Sequence, residues 1–319
     1  MKNSSIIRSA VIQAAPELFD KKSTLEKAVA LIRKAEEAEA KLILFPEAFI
    51  PAYPRGLSFG SRVGDRSDTG RKVWQIYFNN AVEIPGPETD LLCRAAKESR
   101  AYISMGIVEK EGGTLYCSQL LIGPEGNLAG KHRKIKPTAS ERIIWGEGDG
   151  TTLSTYDTNI GKIGGLICWE NYMPLARVAM YRKGVQIYLA PTADHRETWQ
   201  VTMRHIAIEG GCFVLGCNQF ITPDMYPEEI RKLENIEHTE NTICRGGSLV
   251  VNPFGEVISG PLWDQEGILF ADLNLDQIIE RKMDLDVVGH YSRPDIFELK
   301  INGQPEIIPC KPDEASDPQ

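Results

Sequence analysis

A cysteine stands at the point where an apolar run leads into a predicted helix. The segment reads KIGGLICWENYMP, from Lys162 through Cys168 to Pro174, and proline is typical of a first helical turn. At a strand-to-helix junction, backbone N–H groups point outward and the helix dipole is positive, so the thiolate is favoured over the thiol. The same N–H groups could stabilise negative charge on a substrate. Cys168 is thus a candidate nucleophile, although a buried, inert thiol also fits this segment.

A carboxylate and a basic run follow two other predicted strands. Glu47 ends the apolar run LILFPE, and ligands of α/β sheets bind at strand ends. A carboxylate with little solvent has a raised pKa and can act as a general base. In the run KHRKIK, residues 131–136, alternate side chains point to opposite faces, so one lysine could face inward among carboxylates, with Glu141 as a second carboxylate nearby. Taken singly, Glu47 could equally be a surface residue and the basic run a solvated face.

Together the three segments resemble the signature segments of the nitrilase branch of the carbon-nitrogen hydrolases. They read FPEAF, KHRKIKPTASERIIWGEGDG and CWENYMPLARVAMY, in that order. Three further stretches resemble the same branch: PTADHRETWQ, HIAIEGGCFVLGCNQF and DVVGHYSRP. The resemblance covers residues 6–294. It implies that Glu47 is the base, Lys134 the assisting cation, Cys168 the nucleophile and Glu141 a supporting carboxylate.

The resemblance also implies a fold and an assembly. The expected fold is α/β, a four-layer αββα sandwich with mixed sheets, and no metal or organic cofactor is needed. We expect one carbon-nitrogen hydrolase domain over residues 1–310. Family members pair through helices on one face, and the nitrilase branch extends into spiral filaments. A homo-oligomer with a dimer as its building block is therefore expected, with residues 168–183 and the C-terminal region at subunit contacts.

The predicted elements agree with a mixed sheet. Residues 6–14 read as a strand, and STLE at 23–26 reads as a capping box before an apolar helical stripe that ends near residue 40. Residues 42–45 form a short, continuously apolar strand. Three consecutive strands are predicted at 102–108, 114–122 and 128–134, an order that excludes a doubly wound sheet. Residues 46–70 read as a long functional loop, 218–246 as a surface insertion, and 311–319 as a disordered polar tail.

Composition limits the partners and the compartment. The net charge of −8 argues against general affinity for nucleic acid or anionic membranes, and no apolar run is long enough to span a membrane. The seven cysteines form no framework, and no CxxC, HExxH or other metal-ligand spacing occurs. Scattered thiols behind a poor secretory signal predict a reduced, cytoplasmic protein.

The predicted activity is hydrolysis of an organic nitrile to the carboxylic acid and ammonia through a cysteine thioimidate and thioester. The expected lining of the substrate pocket is Tyr53, Trp169, His195 and Trp199. The aromatic rings of Tyr53, Trp145 and Trp199 could instead pack in the core or at a contact. Aromatic walls suit aryl or arylalkyl nitriles. Aliphatic nitriles and β-cyano-amino acids are the alternative substrates that the resemblance allows. The alternatives are an amidase, a cyanide hydratase, or a non-catalytic assembly protein on the same fold. No histidine is placed by sequence as a protease partner for Cys168.

Overall fold

The computed structural model describes residues 6–234, 236 and 243–303. The first half contains β1 (Ile6–Gln13), α1 (Lys21–Glu37), β2 (Leu42–Leu44), β3 (Ser61–Arg62), β4 (Asp65–Arg66), α2 (Asp68–Asn79), α3 (Pro87–Ser99), β5 (Tyr102–Glu111), β6 (Thr114–Ile122) and β7 (Leu128–Arg133). The second half contains β8 (Thr155–Thr158), β9 (Gly161–Gly165), α4 (Pro174–Arg182), β10 (Ile187–Pro191), α5 (Glu197–Gly210), β11 (Phe213–Cys217), β12 (Phe220–Ile221), α6 (Glu228–Glu234), β13 (Cys244–Val251), β14 (Val257–Trp263), β15 (Gly267–Asn274) and α7 (Asp276–Asp284).

Two mixed sheets form the centre of the molecule. The first has the order β15-β1-β2-β5-β6-β7, and the second has the order β12-β13-β11-β10-β9-β8, with β14 beside β13. In the first sheet β1, β2 and β5 are parallel, while β15, β6 and β7 add antiparallel neighbours. In the second, β9, β10 and β11 are parallel and β8 and β13 run antiparallel to them. Both sheets are therefore mixed, as predicted.

Each central strand is apolar on both faces because it packs against a sheet on one side and helices on the other. Leu42 and Leu44 of β2 lie between the sheets, whereas Ile43 packs with the helices α1 and α3. In β10, Leu189 lies between the sheets and Tyr188 packs with α4 and α5. The layers are thus helix, sheet, sheet, helix, and the predicted αββα sandwich is confirmed.

Several predicted boundaries shift. Helix α1 begins at Lys21, not at the predicted capping box, because Asp20 is the N-cap and accepts a hydrogen bond from the Ser23 N–H at 3.0 Å. Strand β8 and helix α7 were not predicted from the sequence. The insertion at 218–246 is only partly a surface excursion, since Tyr226 and Ile230 are buried in it. The predicted tail, 311–319, lies outside the described residues, and the single-domain assignment stays a prediction.

None of the helices in the described part of the chain is both long and apolar enough to cross a membrane.

Candidate active site

Cys168 lies between β9 and α4, in a short 3₁₀ turn that spans Cys168–Tyr172. Its φ of 51° is unusual for a residue with a side chain, so the surrounding structure must hold it. The Asn171 amide does so: it donates to the carbonyls of Leu166 at 2.9 Å and Cys168 at 2.8 Å, and accepts from the Tyr188 hydroxyl at 2.8 Å. Helix α4 begins only at Pro174, so its dipole does not act at Cys168 as the sequence suggested.

Lys134 lies between two carboxylates. It follows the last residue of β7, and its ammonium donates to Glu47 Oε1 at 2.6 Å and to Glu141 Oε2 at 2.7 Å. Glu47 comes from the loop after β2, and Glu141 from the 3₁₀ turn Ala139–Ile143. Glu141 is held in turn by the Tyr53 hydroxyl at 2.6 Å. The three predicted charged groups therefore meet at one point, buried from solvent.

Burial and charge set the protonation of this cluster. Desolvation raises the pKa of Glu47, and the Glu141 charge adds to the shift, while the Lys134 charge opposes it. Burial alone would lower the pKa of Lys134, but the negative charges on Glu47, Cys168 and Glu141 raise it well above 10.5. Lys134 is therefore favoured as a cation at rest, and Glu47 is a carboxylate with a raised pKa.

The Cys168 thiol belongs to the same electrostatic unit. Its burial raises its pKa, and so do the charges of Glu47 and Glu141, while Lys134 and a hydrogen bond with Thr192 lower it by less. Together these effects favour the thiol over the thiolate, contrary to the expectation from the sequence. The thiol therefore needs a base that takes its proton when the sulfur attacks the substrate. Oε2 of Glu47 is buried and has no hydrogen-bond partner among the described residues, which leaves it available to take a proton.

A cavity of ≈ 690 Å³ opens over Cys168. Of the predicted lining residues, Tyr53, Trp169 and His195 line it, together with Glu141. Trp199 is not among the described residues that line it. It is buried, and its ring packs against Tyr172, which packs against Trp169. Trp199 therefore supports the cavity wall from behind.

Three cavity residues were not singled out from the sequence. Asp194 accepts from the Trp169 indole at 2.9 Å and from the Arg196 guanidinium at 2.5 Å, and Arg196 lies over the Trp169 ring at 4.8 Å. Arg55 lines the wall above Tyr53. Asp194 and Arg196 stand in PTADHRETWQ, a segment noted for its resemblance but not assigned roles. Only the folded backbone shows that they brace the residue after Cys168.

Thr192 contacts the sulfur itself. Its hydroxyl accepts from the Asp194 N–H at 2.9 Å, so its own proton is directed to Cys168 Sγ at 3.2 Å. This bond strengthens as negative charge develops on sulfur. We expect Thr192→Val to lower kcat/KM by ~10- to 100-fold, the value of a hydrogen bond to a charged group, and Thr192→Ser to retain most activity. Steady-state kinetics with melting curves as a control measure this; equal kinetics for the valine and serine variants contradict it.

Gly106 of β5 sets how closely Glu47 can lie to the sheet. A Cβ here would meet the Pro46 carbonyl oxygen at 2.0 Å and the Ala48 nitrogen at 2.7 Å. Gly106→Ala must therefore push the Glu47 loop outward, and we expect a loss of about 1–3 kcal/mol of stability with a loss of activity beyond that of unfolding. Gly113→Ala, where a Cβ meets open space, is the matched control. Chemical denaturation and kinetics at a temperature where both variants are folded test this; unchanged activity of Gly106→Ala contradicts it.

Within the described residues, no group of three or more His, Cys, Asp or Glu side chains could hold a metal ion.

The chain matches the carbon-nitrogen hydrolase family over residues 8–283 and belongs to that family. It is 47% identical to a bifunctional nitrilase/nitrile hydratase of Lupinus angustifolius over 95% of this chain and 88% of that protein. It is 48% identical to an aliphatic nitrilase of Sinorhizobium fredii, over 94% of this chain and 96% of that protein.

Solved structures share the fold. A carbon-nitrogen hydrolase from Helicobacter pylori G27 superposes with a TM-score of 0.72 at 21% identity, covering 92% of this chain and 97% of that one. An amidase from Nesterenkonia sp. superposes with a TM-score of 0.66 at 19% identity, covering 89% of this chain and 96% of that one. At these identities the likeness concerns the fold alone.

Proposed function

We propose that this chain is a nitrilase that converts an organic nitrile to the carboxylic acid and ammonia. The observation that carries the proposal is the buried cluster of Glu47, Lys134 and Glu141, whose charges act on Cys168, with Glu141 and Cys168 both lining the cavity. The relatives named nitrilase, at 47–48% identity over nearly the whole chain, support the choice of a nitrile as substrate.

The reaction begins with a proton transfer. Glu47 takes the Cys168 proton as sulfur attacks the nitrile carbon, because the thiol is neutral at rest. Negative charge develops on the nitrile nitrogen, where Lys134 and the Trp169 backbone N–H are placed to stabilise or protonate it. The product of this step is a covalent thioimidate.

Two waters complete the reaction. Glu47 becomes a carboxylate again once the proton from sulfur has passed to the nitrile nitrogen. It then takes a proton from the first water, which adds to the thioimidate, and returns this proton to the nitrogen. As the hydroxyl proton also reaches the nitrogen and the carbonyl forms, the tetrahedral intermediate expels ammonia and leaves a thioester. A second water, activated in the same way, releases the acid and the free thiol. If the tetrahedral intermediate expels sulfur instead of ammonia, an amide leaves. A share of amide product is therefore expected, and it agrees with the double name of the Lupinus relative.

The volume and the lining of the cavity favour some substrates over others. Its ≈ 690 Å³ is far more than hydrogen cyanide occupies, which disfavours a cyanide hydratase. The Trp169 and Tyr53 rings offer apolar walls to an aryl, arylalkyl or longer aliphatic group. An amidase would use the same charged groups, so the amide stays the second candidate substrate.

A substrate panel tests the proposal. The purified protein is incubated with phenylacetonitrile, benzonitrile and valeronitrile and with the corresponding amides, and ammonia, acid and amide are quantified. We expect acid and ammonia from at least one nitrile, with little turnover of amides. Turnover of the amides without turnover of any nitrile would replace the nitrilase assignment by an amidase.

The assembly and the compartment are part of the same proposal. We propose a homo-oligomer built from dimers, extending to spiral filaments, in the cytoplasm and without nucleic-acid or membrane partners. Exposed apolar side chains on neighbouring helices support the dimer: Leu175 of α4 and Val201 of α5 are each 68% exposed. Sedimentation velocity gives the test, and a single species of one chain's mass contradicts the oligomer.

A further inference from the structure

The buried carboxylate of Glu170 joins the two segments that carry the nucleophile and the lysine. Glu170 lies in the turn that begins at Cys168, and its side chain is fully buried. Its Oε2 accepts the N–H of Ile167, the residue before Cys168, at 2.6 Å. Its Oε1 accepts the N–H of Ile135, the residue after Lys134, at 2.5 Å. One carboxylate therefore fixes the backbone beside each of these two groups.

His132 is the third partner of this carboxylate. Its Nε2 lies 3.0 Å from Glu170 Oε2, and its Nδ1 lies 3.2 Å from the Thr152 carbonyl oxygen. Both ring nitrogens face acceptors, an arrangement that favours the doubly protonated imidazolium. Burial would lower the pKa of His132, but the charge and hydrogen bond of Glu170 outweigh it and raise that pKa. The hydrogen bonds and the raised pKa of His132 thus favour an ion pair in the interior, where removal of one partner is costly.

We propose that Glu170 and His132 are a charged positioning pair that sets the separation between the Cys168 sulfur and the Lys134 ammonium. Neither residue is among the described residues that line the cavity over Cys168, so neither touches the substrate. The pair acts through the backbone: a shift of Ile167 or Ile135 moves the adjacent reacting group. The proposal rests on the proposed function, because it assigns the pair to the geometry of that reaction.

The same strand supplies a matched control. Side chains alternate along β7 and beyond it, so His132 and Lys134 point to one face, and Lys131 and Arg133 to the other. Lys131 and Arg133 bind the buried carboxylate of Glu109, at 2.5 Å and 2.6 Å. Glu109 resembles Glu170 in burial and in its cationic partners, but its hydrogen bonds go to β6 and β7 and not to the nucleophile turn.

The experiment compares Glu170→Gln with Glu109→Gln. An amide keeps the size of the carboxylate but has one acceptor atom, so one of the two backbone N–H groups loses its partner. We expect Glu170→Gln to lower kcat by ~10²-fold, the effect of a displacement of about 1 Å, with little change in KM because the cavity walls are untouched. We expect Glu109→Gln to lower the melting temperature while kcat stays within about two-fold of the parent.

A second readout does not need nitrile turnover. Iodoacetamide alkylates Cys168: the sulfur bonds to the CH₂ carbon, iodide leaves, and the thiol proton passes to Glu47. Mass spectrometry of the Cys168 peptide gives the rate, which we expect to fall in Glu170→Gln and not in Glu109→Gln. If the parent hydrolyses no nitrile, the proposed function fails, yet this comparison still tests the positioning pair.

Two outcomes overturn the inference. One is a Glu170→Gln protein whose kcat and alkylation rate match those of Glu109→Gln. The other is a KM that rises as kcat stays constant, since that places the effect in binding. Should Glu170→Gln fail to fold, Glu170→Asp, which keeps the charge but is one methylene too short to reach both amides, and His132→Gln carry the same expectations.

Discussion

Cys168→Ala is expected to lower kcat/KM for the best nitrile by ~10⁴-fold or more, because covalent addition to the nitrile carbon then has no nucleophile. The cavity should still bind substrate, since Tyr53, Trp169 and His195 are unchanged. Initial-rate kinetics show the loss, and binding of the nitrile to the inactive variant can be followed by calorimetry.

The control for this variant is another buried thiol. Cys212 is buried in the core between α5 and β11, with a pKa raised by burial to about 12, and it is not among the described residues that line the cavity. Cys212→Ala should cost stability by leaving a small void but keep kcat near that of the parent. Full activity of Cys168→Ala would remove Cys168 from the mechanism. Loss of activity in a fully folded Cys212→Ala would show that the effect is not specific to Cys168.

Glu47→Gln is expected to lower kcat by ~10²- to 10⁴-fold, the contribution of a positioned general base. The amide keeps the shape of the side chain and can still accept from Lys134, so the local fold should hold. It cannot take the Cys168 proton or activate water. Any adduct that does form should persist, and intact-mass spectrometry after addition of substrate would show it on the protein.

The pH dependence of the parent gives a second view of Glu47. A base works in its ionised form, so kcat/KM rises with pH as the buried carboxyl loses its proton. Because burial raises the pKa of Glu47, the midpoint of this rise should lie above the ordinary 4.5. Lys134, with its pKa raised above 10.5, adds no fall in the neutral range. The acid limb should vanish in Glu47→Gln, and an acid limb with an unchanged midpoint in that variant contradicts the role of Glu47.

Sequence patterns were sufficient for the elements whose burial is periodic. The apolar stripe of α1 was recognisable because this helix packs one face against a sheet. The continuously apolar β2 was recognisable because it is buried on both faces within the sandwich. The alternation along residues 131–134 predicted that one lysine faces inward. Two of the elements that were missed, β8 and α7, are a short edge strand and a nine-residue helix with charged residues at five positions, DQIIERKMD.

The site itself could be predicted only in part. Residue types and the resemblance pointed to Glu47, Lys134, Glu141 and Cys168, but three-dimensional proximity decides protonation. The predicted helix dipole suggested a thiolate, whereas burial and two nearby carboxylates raise the pKa of Cys168 and favour the thiol. Trp199 was predicted as a substrate contact because it is aromatic, yet its position on α5 turns it into the core.

The presence of one ammonium between two carboxylates has a consequence for the fate of the product. At rest the group of Glu47, Lys134 and Glu141 carries one net negative charge. Passing a proton from Cys168 to Glu47 moves this negative charge to the sulfur and leaves the total charge unchanged. A neutral nitrile can therefore enter and react without any change in the total charge of the chamber. The carboxylic acid formed in the final step passes its proton to water and becomes a second anion beside the first, and repulsion between the two opposes retention of the product.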